Sequence, residues 1–316
     1  MFSIVIPLYN KEKQIANTIR TVLDQTYQKY EILIINDGCT DGSINEVQKF
    51  SDKRIRIISQ RNAGVSAARN IGIENAKYEW VAFLDADDLW EREFLQEMTI
   101  AINDYNNVAI FAGGRSTARE GEILRYQNHF LPQDGATDFV NFFGCLGRND
   151  CPIHTSSIII KKEHFSKNGF FRIGQRNYED LDLWIRLCAN EKIVFVNKPL
   201  AIYVIQEGHS ASKLTYNAED CVRMLDTFCE VQNKLKSYQD KIDLKIFYQK
   251  HCSMVILRFF SLYSKNQKEI LLSRMSNVLE KDEFFKLKII QFLKLQRIIL
   301  FAKKLKSGIL KMRNSS

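Results

Sequence analysis

Short apolar runs alternate with helical periods from the start of the chain. "FSIVIPL" (2–8), "EILIIND" (31–37), "IRIIS" (55–59), "WVAFLDA" (80–86) and "VAIFAGG" (108–114) are β-rich and bounded by polar residues, the pattern of strands buried on both faces. Between them, residues 12–25, 42–51, 64–76 and 91–105 carry helical spacing. This alternation predicts an α/β fold, a mostly parallel sheet with helices on both faces. Open sheets of this kind take ligands beyond the carboxyl ends of their strands. The polar clusters "PLYN", "NDGCTDGS", "QRNAG" and "DADD" follow the first four strands, so four strand ends predict one site.

Residues 115–155, with Gly135, Gly144, Gly147 and Pro152, predict a loop-rich insertion near that site. "SSIIIKK" predicts a strand, Asn168 and Gly169 a turn, and "NYEDLDLWIRLCANE" a helix that starts just after Glu179 and Asp180. "IVFVN" and "LAIYVI" predict two more strands, and from about Thr215 the pattern is helical. The expected organisation is an α/β domain over 1–212, divided at about 115/116, followed by a helical region over 213–316.

With 45% hydrophobic and 26% charged residues and four prolines, the composition is that of a folded protein. Its seven cysteines are odd in number and dispersed without a C-x-x-C pair, which argues for a reducing compartment and against structural zinc. No charged, apolar signal segment opens the sequence and no apolar run is long enough to span a bilayer, so a cytoplasmic location is expected. The net charge is +8, of which residues 284–316 supply nine Lys and Arg and no acid, leaving the remainder near −1. The basicity belongs to the tail.

The chemistry concentrates in "WVAFLDADDLW". Asp85, Asp87 and Asp88 crowd the end of an apolar strand, where like charges raise one another's pKa unless a cation or donors compensate them. A divalent metal would do so; the plainer alternative is a solvated turn with a helix N-cap. Asp37 ends the second strand, placed to accept a hydrogen bond from a ligand, while Asp41 suits a turn. Gly64 precedes a small-residue helix carrying Arg69, which suits phosphate oxygens or plain solvation. Glu179 and Asp180 at a helix start are ordinary dipole partners when taken alone, and a lone His209 in a polar loop is ordinarily no ligand. Neither G-x-G-x-x-G after the first strand nor G-x-x-x-x-G-K-[ST] anywhere supports a dinucleotide or P-loop site.

Taken in order, "SIVIPLYN", "INDGCTDGS", "RNAGVSAARNIG", "FLDADDLW" and "EDLDLWIRL" resemble the inverting nucleotide-sugar glycosyltransferases of family 2, over residues 2 to about 212. The resemblance implies the GT-A fold, with the nucleotide-sugar half before the 115/116 division and the acceptor half after it. It also implies a UDP-sugar donor and a glycan or lipid-linked acceptor of the bacterial surface type. Pro7, Tyr9, Asn10, Asp37, Asn62 and Gly64 would surround the nucleotide, Asp37 accepting from an imide N–H. Arg69 would lie near the nucleotide or diphosphate. Asp85, Ala86 and Asp87 match D-x-D, with Asp85 and Ala86 toward the ribose or donor sugar and Asp87 on Mn²⁺ or Mg²⁺, joined by His209. Asp180 matches the general base, Glu179 would support it or contact the acceptor, and Trp184 would offer a face to the acceptor sugar or else be core. Asn36 and Cys39 stand where the family more often has Asp and Ser.

Two other readings stay in view. "DADDL" superficially resembles the haloacid-dehalogenase phosphatases, but lacks the hydroxyl residue that should follow and comes after three strand–helix units. A non-catalytic nucleotide-sugar or membrane module would have no need of a base at Asp180. In 292–309 the apolar stripe Phe292, Leu295, Ile298, Ile299, Ala302, Leu305 and Ile309 opposes Lys294, Arg297, Lys304 and Lys311. It suits a packed helix with a basic side, or an interfacial helix drawn to the anionic inner face of a membrane. Nucleic acid is not expected, because no stacking aromatics interleave with the charge.

Overall fold

The computed structural model describes residues 1–205 and 217–280. Its elements run β1 (Phe2–Leu8), α1 (Ile15–Leu23), β2 (Tyr30–Asn36), α2 (Ser43–Gln48), β3 (Ile55–Ser59), α3 (Val65–Asn75), β4 (Trp80–Phe83), β5 (Leu89–Trp90), α4 (Phe94–Asp104) and β6 (Ile110–Arg119). There follow β7 (Glu122–Arg125), β8 (Thr137–Val140), α5 (Phe142–Gly147), β9 (Ile158–Lys161), α6 (Lys162–Asn168), α7 (Glu179–Cys188) and β10 (Ile193–Val204). The helices α8 (Ala218–Val231), α9 (Tyr238–Arg258) and α10 (Lys265–Met275) complete the described chain.

These strands form one sheet in the order β3-β2-β1-β4-β9-β6-β10-β5, with β7 paired to β6 and β8 to β10. The first four are mutually parallel, β9 is antiparallel to both its neighbours, and β6 and β10 run parallel again. Alternate side chains of β1 point to opposite faces, and both faces are covered. Ile4 and Ile6 pack with α1 and α4, whereas Val5 joins the layer that holds α3, α7 and the helices α8 to α10. Gly72 lets α3 lie directly on β1, for a Cβ there would come within 2.2 Å of Val5.

Two elements differ from the sequence expectation. "IVFVN" and "LAIYVI" are one strand, β10, whose pairing with β6 slips on either side of Pro199. A proline cannot donate to the ladder and is accommodated at such a bulge, opposite Gly114, whose missing Cβ leaves room for the Lys198 carbonyl. The turn at Asn168–Gly169 is the end of a further helix, α6, closed by Gly169 at φ 93°. The division expected at 115/116 falls inside β6, because that strand runs on through Gly113 and Gly114. The loop-rich insertion holds β7, β8 and α5. The boundary expected near 213 and the basic stripe of 292–309 lie outside the described residues, as does His209. Among the described residues no helix is long and apolar enough to cross a membrane.

The helical region shares its hydrophobic layer with the sheet. Leu244, Tyr248, Cys252 and Val255 of α9 belong to the same buried cluster as Phe83, Phe165 and Trp184. His251 lies among them, 4% exposed, stacked on Phe247 and edge-on to Tyr178. Burial lowers its pKa from 6.5 to about 4. A folded-state pKa below the unfolded one contributes stability that is whole above pH 6.5 and is lost as the pH falls toward 4. This residue is expected to cost about 2 kcal/mol of unfolding free energy between pH 7 and pH 5. His251→Phe should flatten that limb in urea titrations at the two pH values.

Candidate active site

The carboxyl ends of β1, β2 and β4 and the start of α7 open on one cavity of about 650 Å³. Pro7 and Tyr9 come from the end of β1, Asp37 from the end of β2, Asn62 and Gly64 from the turn into α3, and Arg69 from α3 itself. The turn after β4 contributes Asp85, Ala86 and Asp87, and α7 contributes Glu179 and Asp180. Eleven residues singled out in the sequence thus meet in one place.

Asn10 is not on the cavity wall. It sits at φ 51° and exchanges hydrogen bonds with Thr40, donating to Oγ1 at 3.0 Å and accepting from the backbone N–H at 2.8 Å, so it fixes the neighbouring loop. Trp184 corrects the acceptor expectation. Five positions into α7 it faces the sheet, 1% exposed, against Phe83 and Phe171, and offers no face to a sugar.

The three clustered carboxylates are compensated in three ways. Asp85 accepts from Arg69 Nη2 at 2.8 Å; burial works against its ionisation, but the Arg69 charge and hydrogen bond hold its pKa below the ordinary value. Asp87 meets the Lys11 ammonium at 2.5 Å. Asp88 turns inward, 1% exposed, where it accepts from Ser156 Oγ at 2.5 Å and from the Val204 N–H at 3.1 Å. Burial first, and then the charge of Asp85, push its pKa up to about 8. Asp88 is therefore a strut tying the turn to β10, and the solvated-turn reading fits none of the three.

Asp37 is 3% exposed and accepts from Gln60 at 2.6 Å, the Ala63 N–H at 2.8 Å and the Gly64 N–H at 3.0 Å. A carboxylate has about four lone-pair positions, so about one remains for a ligand. Arg69, 3% exposed, also reaches Glu179 at 3.2 Å and lies 5.2 Å from the Phe171 ring. Burial would lower its pKa, but Asp85 and Glu179 raise it above the ordinary value, so the guanidinium stays charged. Burial, and next the charge of Asp180, push Glu179 up to about 7 against the pull of Arg69. Asp180 accepts from the Leu181 N–H at 2.6 Å and, more loosely, from Thr155 at 3.4 Å. Its carboxylate is thus oriented and open to the cavity.

Lys11, His154, Arg176 and Tyr203 also line the cavity and were not singled out in the sequence. Lys11 hides in a Lys-Glu-Lys run that suggests a solvated face, His154 and Arg176 stand in segments with no periodic or motif signal, and Tyr203 lies in "LAIYVI", whose pattern predicts a strand and no site. Burial and the charge of Arg115 lower the His154 pKa to about 4, so it is neutral at pH 7.

The model of Glycosyl transferase family 2 matches residues 3–168, more than half of the chain. The chain belongs to glycosyl transferase family 2. Among its family relatives are the putative teichuronic acid biosynthesis glycosyltransferase TuaG of Bacillus subtilis, 32% identical over 67% of this chain and 82% of that protein. The UDP-Glc:alpha-D-GlcNAc-diphosphoundecaprenol beta-1,3-glucosyltransferase WfgD of Escherichia coli is 29% identical over 62% of this chain and 73% of that one. An uncharacterized glycosyltransferase of Rickettsia felis is 30% identical over 65% of this chain, but the match spans only about a third of the relative, 33%. In fold the chain is similar to S. aureus TarS 1-349, solved with UDP-GlcNAc, with a TM-score of 0.68, 18% identity and coverage of 96% of this chain and 87% of that one. That likeness shows the GT-A architecture.

A divalent cation would find Asp87 and no larger protein cage, since among the described residues no three His, Cys, Asp or Glu gather to hold a metal. This fits Mn²⁺ or Mg²⁺, which bind through one or two carboxylates completed by water and substrate phosphate. The Lys11 ammonium, already on Asp87, would compete with such a cation for that carboxylate. Removing a partly exposed ion-pair partner changes affinity by up to about 1 kcal/mol, or about fivefold. Lys11→Met should therefore tighten Mn²⁺ binding about three- to fivefold by electron paramagnetic resonance titration. Unchanged binding would mean that the cation does not use Asp87.

Proposed function

We propose that this chain is a metal-dependent inverting glycosyltransferase that moves a hexose or N-acetylhexosamine from a UDP-sugar to a hydroxyl of a glycan or lipid-linked acceptor in bacterial surface polysaccharide or lipooligosaccharide synthesis. The observation that carries this reading is the opening of the Asp180 carboxylate onto the same cavity as Asp37 and Asp87. The activities for which WfgD and TuaG are named, and the nucleotide sugar bound to TarS, agree with it.

Asp37, with about one acceptor position left, takes an imide N–H of uracil. Pro7 and Tyr9 flank the base, and Asn62 and Gly64 close the turn beside it. Asp85 and Ala86 face the ribose or donor sugar, Asp85 held in place by Arg69. Asp87 would hold the cation, which would supply charge neutralisation for the departing diphosphate, while His209, the other ligand expected from the sequence, lies outside the described residues. Asp180 accepts the proton of the acceptor hydroxyl while that oxygen attacks the anomeric carbon on the side opposite the diphosphate, which inverts the centre. Glu179, shared with Arg69 and near its own midpoint at neutral pH, spares Asp180 a full like charge at its side. A cytoplasmic enzyme with its basic tail against the inner membrane face would meet a lipid-linked acceptor directly.

Calorimetric titration with UDP, GDP and dTDP, each with and without Mn²⁺, tests the donor half. Metal-dependent binding that prefers UDP is expected, and Asp87→Ala should abolish the metal dependence. Binding of no nucleotide under any condition would sink the reading. For the base, Asp180→Asn should leave UDP affinity within a few-fold while transfer falls by roughly 10²–10⁴. Full transfer by that variant would remove the assignment.

A further inference from the structure

The segment between Gly169 and α7 is pinned by side chains of α8. Asp220, 1% exposed, accepts from the backbone N–H groups of Arg176 and Asn177, both at 3.2 Å, and from the Asn177 side chain at 3.1 Å. Arg223 donates to the Ile173 carbonyl at 2.9 Å, and Arg172 reaches Thr227 at 2.8 Å and Glu230 at 2.7 Å. The backbone at Arg176 is thereby fixed four residues ahead of Asp180.

Arg176 is among the residues that line the cavity and is exposed there. Of the two other cations on that wall, Arg69 is held by Asp85 and Glu179, and Lys11, paired with Asp87, follows β1 on the side of the nucleotide-facing residues. His154 is neutral. Among the described residues Arg176 has no carboxylate within ion-pair distance, so its charge is left for a ligand. A guanidinium offers a planar fork that matches phosphate oxygens. It rises from the segment that leads to Asp180, whereas the nucleotide-facing residues come from the ends of β1, β2 and β4.

We infer that Arg176 forms an anion subsite on the acceptor side of the cavity, binding the phosphate of a phosphorylated acceptor whose hydroxyl is presented to Asp180. This rests on the glycosyltransferase reading above. It narrows the acceptor class to molecules that carry phosphate near the accepting sugar, such as a sugar on a lipid diphosphate.

The test uses the full chain saturated with UDP and Mn²⁺ and titrated with farnesyl diphosphate below its micellar concentration, with farnesol as the uncharged control. The wild-type protein should bind the diphosphate and not farnesol. Arg176→Gln should weaken that binding about tenfold or more with UDP affinity held within twofold, and Arg176→Lys should restore part of it. Equal binding by Arg176→Gln, or none by the wild-type protein, overturns the subsite. A tenfold loss of UDP affinity in Arg176→Gln, with farnesyl diphosphate unaffected, overturns it in favour of the donor diphosphate. Failure of the wild-type protein to bind UDP in the loading step is a separate result and overturns the donor reading beneath it.

Discussion

A single buried guanidinium permits this site to exist. Arg69 reaches across from α3 to carboxylates that arrive from different directions, Asp85 at the end of β4 and Glu179 at the start of α7. Without a charge between them, two acids and the neighbouring Asp180 would repel one another at the edge of a hydrophobic core. The Phe171 ring beneath the guanidinium and the near-total burial of its side chain fix the geometry of that bridge. Arg69 is thus first a keystone between the sheet and α7, and its distance from any diphosphate is set by that duty.

The sheet and the helices place the two sides of the cavity by different means. The side formed by the ends of β1, β2 and β4 is made by parallel strands whose ends turn sharply into helices, so its residues are close in sequence to the elements that hold them. The side formed by the start of α7 depends on a buried network away from the cavity. Asp182, with no exposure, is met by Arg172 at 3.0 Å and by Arg186 at 2.8 Å and 3.0 Å, and also by Thr227 of α8. Removing one partner from such a network leaves a buried charge unmet, which ordinarily costs several kcal/mol. The start of α7 is consequently held as firmly by α8 as by its own helix.

This difference explains what could be read from the sequence. The first four strands and the residues at their ends were legible because a buried strand and the turn that follows it are local patterns. The D-x-D turn was legible as a carboxylate cluster, but the separate fates of Asp85, Asp87 and Asp88 were not, since their partners Arg69, Lys11, Ser156 and Val204 are distant in sequence. Trp184 was open between sugar contact and core because a helical stripe gives the period and not the direction of the interior. β10 was divided in two because Pro199 is a reliable breaker except where a bulge and a facing Gly114 make room for it. Arg176 and Asp220 carried no signal at all, as the hydrogen bond from the Arg176 backbone N–H to Asp220 is visible only once α8 is folded against residues 170–178.

That pairing bears on how such an enzyme could change its acceptor. Loops that line a cavity are usually regarded as interchangeable, but residues 170–178 have backbone N–H groups matched to Asp220, a carbonyl matched to Arg223 and the Arg172 side chain matched to Thr227, all on α8. Transplanting residues 170–178 alone into a homologous scaffold would leave those helical side chains without their counterparts. The exchangeable cassette is this segment together with α8, so this wall of the cavity has to be inherited, or engineered, as a two-piece unit.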